Sequence, residues 1–159
     1  MSEKNPNSYE DYTGRQAEEE LLEKCPGPWD GETYLNFEDS IDYVKNNQPA
    51  NWLLSDPAPR FVADLFATVA DKLHLEDWND LKLYTALGTP LDYFHGTDAF
   101  FEYDGIRITL DVSINRGKGT CKADFEANPR TMELEVIADG VANRIRRQIK
   151  SRAKVTQMS

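Results

Sequence analysis

The sequence predicts an α/β domain: a small mixed sheet centred on a β-hairpin at about 98–114, packed by helices and closed by a basic C-terminal helix. Three observations carry that prediction. Asp104-Gly105 stands between two segments of alternating polarity, the strongest short-range signal for a two-residue hairpin turn. Phe61, Val62, Leu65, Phe66, Val69, Ala70 and Leu73 trace one broad apolar face at helical spacing. From Ala138 to Lys154 the helical period returns as a narrow stripe of Val141, Ile145 and Ile149.

The 159 residues, 40% of them hydrophobic, suit one globular domain over 14–159, preceded by a loose arm over 1–13 that mixes Ser, Asn, Pro, Tyr and acids without periodicity. Arg15 to Cys25 places Ala17, Leu21, Leu22 and Cys25 at helical spacing and stops at Pro26-Gly27-Pro28, because proline cannot continue the ladder. Phe37, Ile41, Tyr43 and Val44 suggest a short helix begun by Asn36 and ended by Asn46-Asn47. Asp56-Pro57 opens the Phe61–Leu73 helix, with Arg60, Asp64, Asp71 and Lys72 off its apolar face. Leu81 to Leu87 alternates imperfectly as a strand, and Gly88-Thr89-Pro90 ends it.

Composition narrows the function. Cys25 and Cys121 form neither a zinc spacing nor a disulfide framework, and they fit a reducing cytosol at least as well as secretion. No run approaches the 18 or so apolar residues of a membrane helix, and the start is polar and acidic, so a soluble, unprocessed, cytoplasmic protein is expected. The net charge of −10 argues against a general nucleic-acid binder. It is unevenly spread: 22 acidic and 7 basic residues lie up to Asp104, 6 and 11 after it. A polyanion must therefore approach the last third, where Arg144, Arg147, Lys150 and Arg152 of the basic helix are the candidate phosphate contacts. The same helix also fits a surface element whose charge answers the acidic N-terminal half.

A two-residue turn at Asp104-Gly105 fixes the register. Tyr103 faces Ile106, Glu102 faces Arg107, Phe101 faces Ile108, Phe100 faces Thr109, Ala99 faces Leu110 and Asp98 faces Asp111. One side collects Tyr103, Ile106, Phe101, Ile108, Leu110, Val112 and Ile114 as a core face. The other collects Glu102, Arg107, Phe100, Thr109, Asp98, Asp111, Ser113 and Asn115, and a polar strand face of this kind is ordinarily solvated. On it, Glu102 with Arg107 attracts and Asp98 with Asp111 repels. A divalent cation compensates such a pair, as does a shared proton or a nearby Lys or Arg.

Gly96-Thr97-Asp98, followed thirteen residues on by Leu110-Asp111-Val112-Ser113 inside a strand, resembles the core of the PD-(D/E)xK nuclease superfamily, the restriction-endonuclease-like fold. The resemblance covers about twenty to thirty residues. It implies a metal-dependent nuclease acting on DNA or RNA, with magnesium or manganese held by Asp98 and Asp111. Ser113 stands where the family has its lysine. The missing charge is then sought at Lys118 or Lys122, and Lys122 to Glu126 alternates as a third strand beside the hairpin. The family also tends to carry an acid on a preceding helix. Glu18, three and four residues before Leu21 and Leu22, is the candidate, although the Phe61–Leu73 helix is an alternative structural equivalent.

His95 falls at the edge of this site, where it serves either as an acid or base or as a packed strand-end residue. Nucleophile-elbow, phosphate-loop and Rossmann patterns are absent from the sequence. Two further functions are compatible with it: a catalytically inactive binding or accessory module of the same fold, and an acidic interaction or inhibitor protein that docks a basic partner.

Overall fold

The computed structural model describes residues 22–57, 59–112, 122–129 and 132–158. The expected arm over 1–13, Glu18, Ser113, the segment carrying Lys118, and Cys121 lie outside the described residues. Four strands form one mixed sheet in the order β1-β2-β3-β4, where β1 is Leu81–Thr85, β2 Ala99–Tyr103, β3 Ile106–Val112 and β4 Phe125–Ala127. The hairpin register is the one the turn dictates, from Ala99↔Leu110 to Tyr103↔Ile106. Asp104 (φ 51°) and Gly105 (φ 77°) both take positive φ, the backbone that matches the strand twist in a two-residue loop. β1 pairs antiparallel with β2, and β4 runs parallel to β3 with Leu110↔Phe125, Asp111↔Glu126 and Val112↔Ala127. The expected third strand thus exists, starting at Phe125 rather than Lys122.

Helix α1 spans Phe37–Asn46, and Asn36 caps it by accepting the Asp39 N–H at 2.8 Å. Helix α2, Arg60–Lys72, begins later than Asp56-Pro57 suggests. Pro59 is the last extended residue before it, and Asp56 instead closes a bridge with Leu53. A single 3₁₀ turn, Trp78–Asp80, leads into β1. Gly88-Thr89-Pro90 ends the strand but also starts a short helix, α3 (Pro90–His95), which the sequence analysis missed. Pro90 is its first residue, where a missing N–H is harmless, and Gly96 (φ 61°) closes it. Helix α4 runs from Leu134 to Met158, longer at both ends than the 138–154 expected. Among the described residues no helix is long and apolar enough to cross a membrane.

Residues 22–25, expected to finish a helix, do not. The Cys25 N–H donates to Leu87 O at 2.9 Å, and the Glu23 carbonyl accepts the Thr85 hydroxyl at 2.6 Å, so this segment lies along the outer edge of β1. Covering an edge strand satisfies backbone groups that a helix would leave open there. The Cys25 thiol donates to Thr85 O at 2.8 Å, and burial pushes it up to about 12, which makes it inert packing.

The sheet is covered on both faces. On one, Leu81, Leu83, Phe101, Ile108, Leu110 and Val112 pack against Phe61, Leu65 and Val69 of α2 and Ile137, Val141 and Ile145 of α4. On the other, Tyr84 and Phe100 stack at 4.8 Å and pack with Ile41 and Val44 of α1 and Leu91 of α3. This corrects the expectation of a solvated second face: Phe100, Thr109 and Asp98 are all buried there. At the rim of that face Lys45 and Arg107 reach Glu102 at 2.8 and 3.2 Å. The result is a three-layer α/β/α arrangement with the acidic pair at the end of the hairpin opposite its turn.

Candidate functional site

Asp98 precedes β2 by one residue and is held by backbone on both sides. Its N–H donates to Leu110 O at 2.8 Å, and its carbonyl accepts the Ala86 N–H at 2.8 Å. Its carboxyl oxygen Oδ2 accepts the Val112 N–H at 2.9 Å, which extends the hairpin ladder through a side chain. Only 3% of the residue is exposed. Asp111, half-buried in β3, lies within hydrogen-bond reach of the Asp98 carboxyl, and so does Asp92 from α3. Burial pushes the Asp98 carboxyl well above the usual carboxylate range, and the charge of Asp92 and hydrogen bonds with Asp92 and Asp111 push it further.

Asp92 is the site residue that sequence reasoning missed. Its Oδ2 also accepts the Gly88 N–H at 2.9 Å, which ties α3 to the turn before it. The signal was present in Thr89-Pro90: proline as the first residue of a helix would have placed Asp92 in its first turn, six residues ahead of Asp98. Glu126, exposed on β4, was also missed as a neighbour. The parallel register sets it beside Asp111 on the same face. Among the described residues no group of three or more His, Cys, Asp or Glu side chains is arranged to hold a metal ion. What the geometry offers is a two-carboxylate edge, Asp98 with Asp111.

Lys122 stands at this edge. A Cβ on Gly96 would lie 3.5 Å from Lys122 Cβ and 3.7 Å from Cδ, so the aliphatic stem runs over the turn that leads to Asp98. Two residues on, Asp124 locks β4 to β3. Its Oδ2 accepts both the N–H and the hydroxyl of Thr109, at 2.9 and 3.1 Å, and its own N–H donates to Thr109 Oγ1 at 2.9 Å. Lys122 is thereby carried on a backbone anchored to the strand that bears Asp111.

His95 is engaged elsewhere. Its Nε2 lies 2.9 Å from Leu35 O, and its ring packs on Tyr34 and Phe37, so it is a packed residue as the second alternative held, although it ends helix α3 rather than a strand. The basic helix is split in its contacts. Arg144 donates to Asp124 O and Gly140 O and covers the Phe125 ring at 4.7 Å. Arg152 pairs with the Asp104 carboxylate at 2.8 Å, at the hairpin turn. That turn is six residues from Asp98, roughly 20 Å along an extended strand. Arg147 and Lys150, between them on the helix, are exposed. The four residues therefore follow the length of the hairpin rather than converge on the carboxylates.

No family model, curated protein or solved structure matches the chain. The chain is a mixed α/β sheet between helices, carrying opposed aspartates at one end.

Proposed function

We propose that the chain is a metal-dependent nuclease-like phosphodiester hydrolase of restriction-endonuclease-like type, acting on DNA or RNA in the cytoplasm. The single observation that carries this reading is the buried Asp98 carboxyl meeting Asp111 across the hairpin. Two carboxylates suit magnesium or manganese, which keeps most of its coordination for waters and substrate phosphate. When bound there, such an ion supplies Lewis acidity to the scissile phosphate and a more acidic water. The protein's own contribution is positional. Ala86, Leu110 and Val112 fix Asp98, and β3 fixes Asp111. Lys122 brings an ammonium toward charge building on the phosphate, in the role the family gives to the lysine replaced by Ser113. Arg147 and Lys150 meet the nucleic-acid backbone.

The test combines a magnesium and manganese titration with nicking of supercoiled DNA and of structured RNA. Wild type is expected to bind metal in the millimolar range and to nick one of the substrates, and Asp111→Asn is expected to lose both. Absence of metal binding, or nicking undiminished by Asp111→Asn, would falsify the hydrolase reading. Ser113 favours one second reading, an inactive accessory module of the same fold. Its signature is salt-dependent nucleic-acid binding without turnover.

A further inference from the structure

A second surface is built around aromatic rings rather than carboxylates. Trp29, Tyr34, Phe37, Tyr93, Phe94 and His95 form one continuous cluster. Ring centroids lie 5.0 Å apart for Tyr34 and Phe94, 4.9 Å for Tyr93 and Phe94, and 5.7 Å for Trp29 and Tyr93. Its outer members are open to solvent, with Tyr34 63% and Tyr93 69% exposed. A cluster of this size that serves only the core would turn its rings inward. Exposed contiguous apolar patches of this kind mark interaction sites, and tyrosine and tryptophan are favoured there.

The cluster is also held in place. The Trp29 indole N–H donates to Thr33 O at 2.8 Å, and the Trp29 backbone N–H donates to the Tyr43 hydroxyl at 3.1 Å. Asp30 Oδ1 accepts the N–H groups of Glu32 and Thr33, at 2.8 and 2.7 Å, and the Thr33 hydroxyl bonds its other oxygen. His95 fixes the far end through Leu35 O. The loop is thus preorganised, which lowers the entropic penalty of binding.

Charge decides what it fits. The two segments that build the surface, 26–44 and 89–95, hold six carboxylates and not one Lys or Arg, and of the six only Asp92 faces the Asp98 carboxyl. Arg107, which reaches in beside α1, is already shared between Glu102 and Glu38, at 3.2 and 3.7 Å. A phosphate backbone laid on these rings would meet carboxylates at the rim. A guanidinium meets the reverse: ring faces to stack on and acids such as Glu32 and Asp39 to pair with.

We propose that the Trp29–Tyr34–Tyr93 surface docks an arginine-rich peptide segment of a partner protein. The occupant's guanidinium groups stack on Tyr34 and Tyr93 while neighbouring ones pair with the acidic rim. This site is separate from the Asp98–Asp111 edge and does not depend on the hydrolase reading.

The experiment is fluorescence anisotropy with the full chain and a fluorescein-labelled nona-arginine peptide at physiological salt, with labelled oligothymidylate in parallel. Wild type is expected to bind the peptide. Tyr34→Ala and Tyr93→Ala are each expected to weaken it about fivefold, the effect of losing one exposed cation–π contact. Asp64→Asn combined with Glu76→Gln, which removes two exposed acids from outside both segments, is expected to change affinity less than twofold. Three outcomes overturn the proposal: no peptide binding, weakening by the control pair equal to that of the tyrosine variants, or oligothymidylate binding that Tyr93→Ala abolishes. Both tyrosines are largely exposed, so their variants retain the fold, and unchanged thermal unfolding checks this.

Discussion

Asp98→Asn is expected to make the metal-free protein more stable while removing its function. In the folded chain Asp98 holds its proton to a higher pH than an unfolded aspartate does, because of burial first and then Asp92 and Asp111. An unfolded aspartate titrates near 3.9, so at pH 7 unfolding releases a proton that the folded state keeps. The sign follows from linkage: the folded state binds more protons, so stability falls as pH rises, by about 1.4 kcal/mol per unit above ~4. Over the three units to pH 7 this amounts to a penalty of up to about 4 kcal/mol. Asparagine has no proton to hold, its carbonyl still accepts the Val112 N–H, and its amide still donates toward Asp92 and Asp111. Urea unfolding from pH 4 to pH 8 in EDTA measures the difference between wild type and variant. The expected gap is near zero at pH 4 and grows to several kcal/mol in the variant's favour at pH 7. Magnesium at ten times its dissociation constant then adds about 1.4 kcal/mol to wild type and nothing to the variant. A variant less stable than wild type at pH 7, or a gap that does not change with pH, refutes the reasoning.

Lys122→Ala is expected to lower nicking by roughly 10²-fold or more, as loss of one transition-state donor does, and to leave urea unfolding within about 0.5 kcal/mol. Lys118→Ala, assayed beside it, should be near neutral; the opposite pattern transfers the role. Gly105→Ala forces a side chain into a left-handed backbone and is expected to cost about 1–2 kcal/mol, read by thermal or urea unfolding. If it proves neutral, the turn is not the rigid determinant of the Asp98–Asp111 register.

What was legible in the sequence was what short-range chemistry determines. Asp104-Gly105 sets the register of a hairpin without help from the rest of the chain, so the meeting of Asp98 and Asp111 followed from counting. Asn36 marked the start of α1 because its cap bond is local. Two of the misses come from dependence on distant partners, and a third from a local signal read one way only. Whether residues 22–25 coil into a helix or lie along β1 depends on an edge supplied sixty residues later. Phe100 was the one clue that the second face is covered: a phenylalanine among polar neighbours on a strand needs a lid, and α1 and α3 provide it. Reading Pro90 only as a terminator hid α3 and with it Asp92.

The burial of Asp98 is the part of the structure that stability alone does not explain. Its backbone is pinned by Ala86 and Leu110, and its carboxyl accepts the Val112 N–H. If the position served only to close the end of the hairpin, asparagine would make the same bonds at every pH without the linkage penalty. What asparagine cannot supply is a negative charge that appears when a cation arrives. A buried aspartate beside two others is unfavourable when the site is empty of positive charge and favourable when it is filled, and that difference is free energy available for binding. The proposed metal site rests on that difference: an ion held by Asp98 and Asp111 would recover free energy that the edge withholds without it, an exchange of stability for charge of the kind found at functional sites.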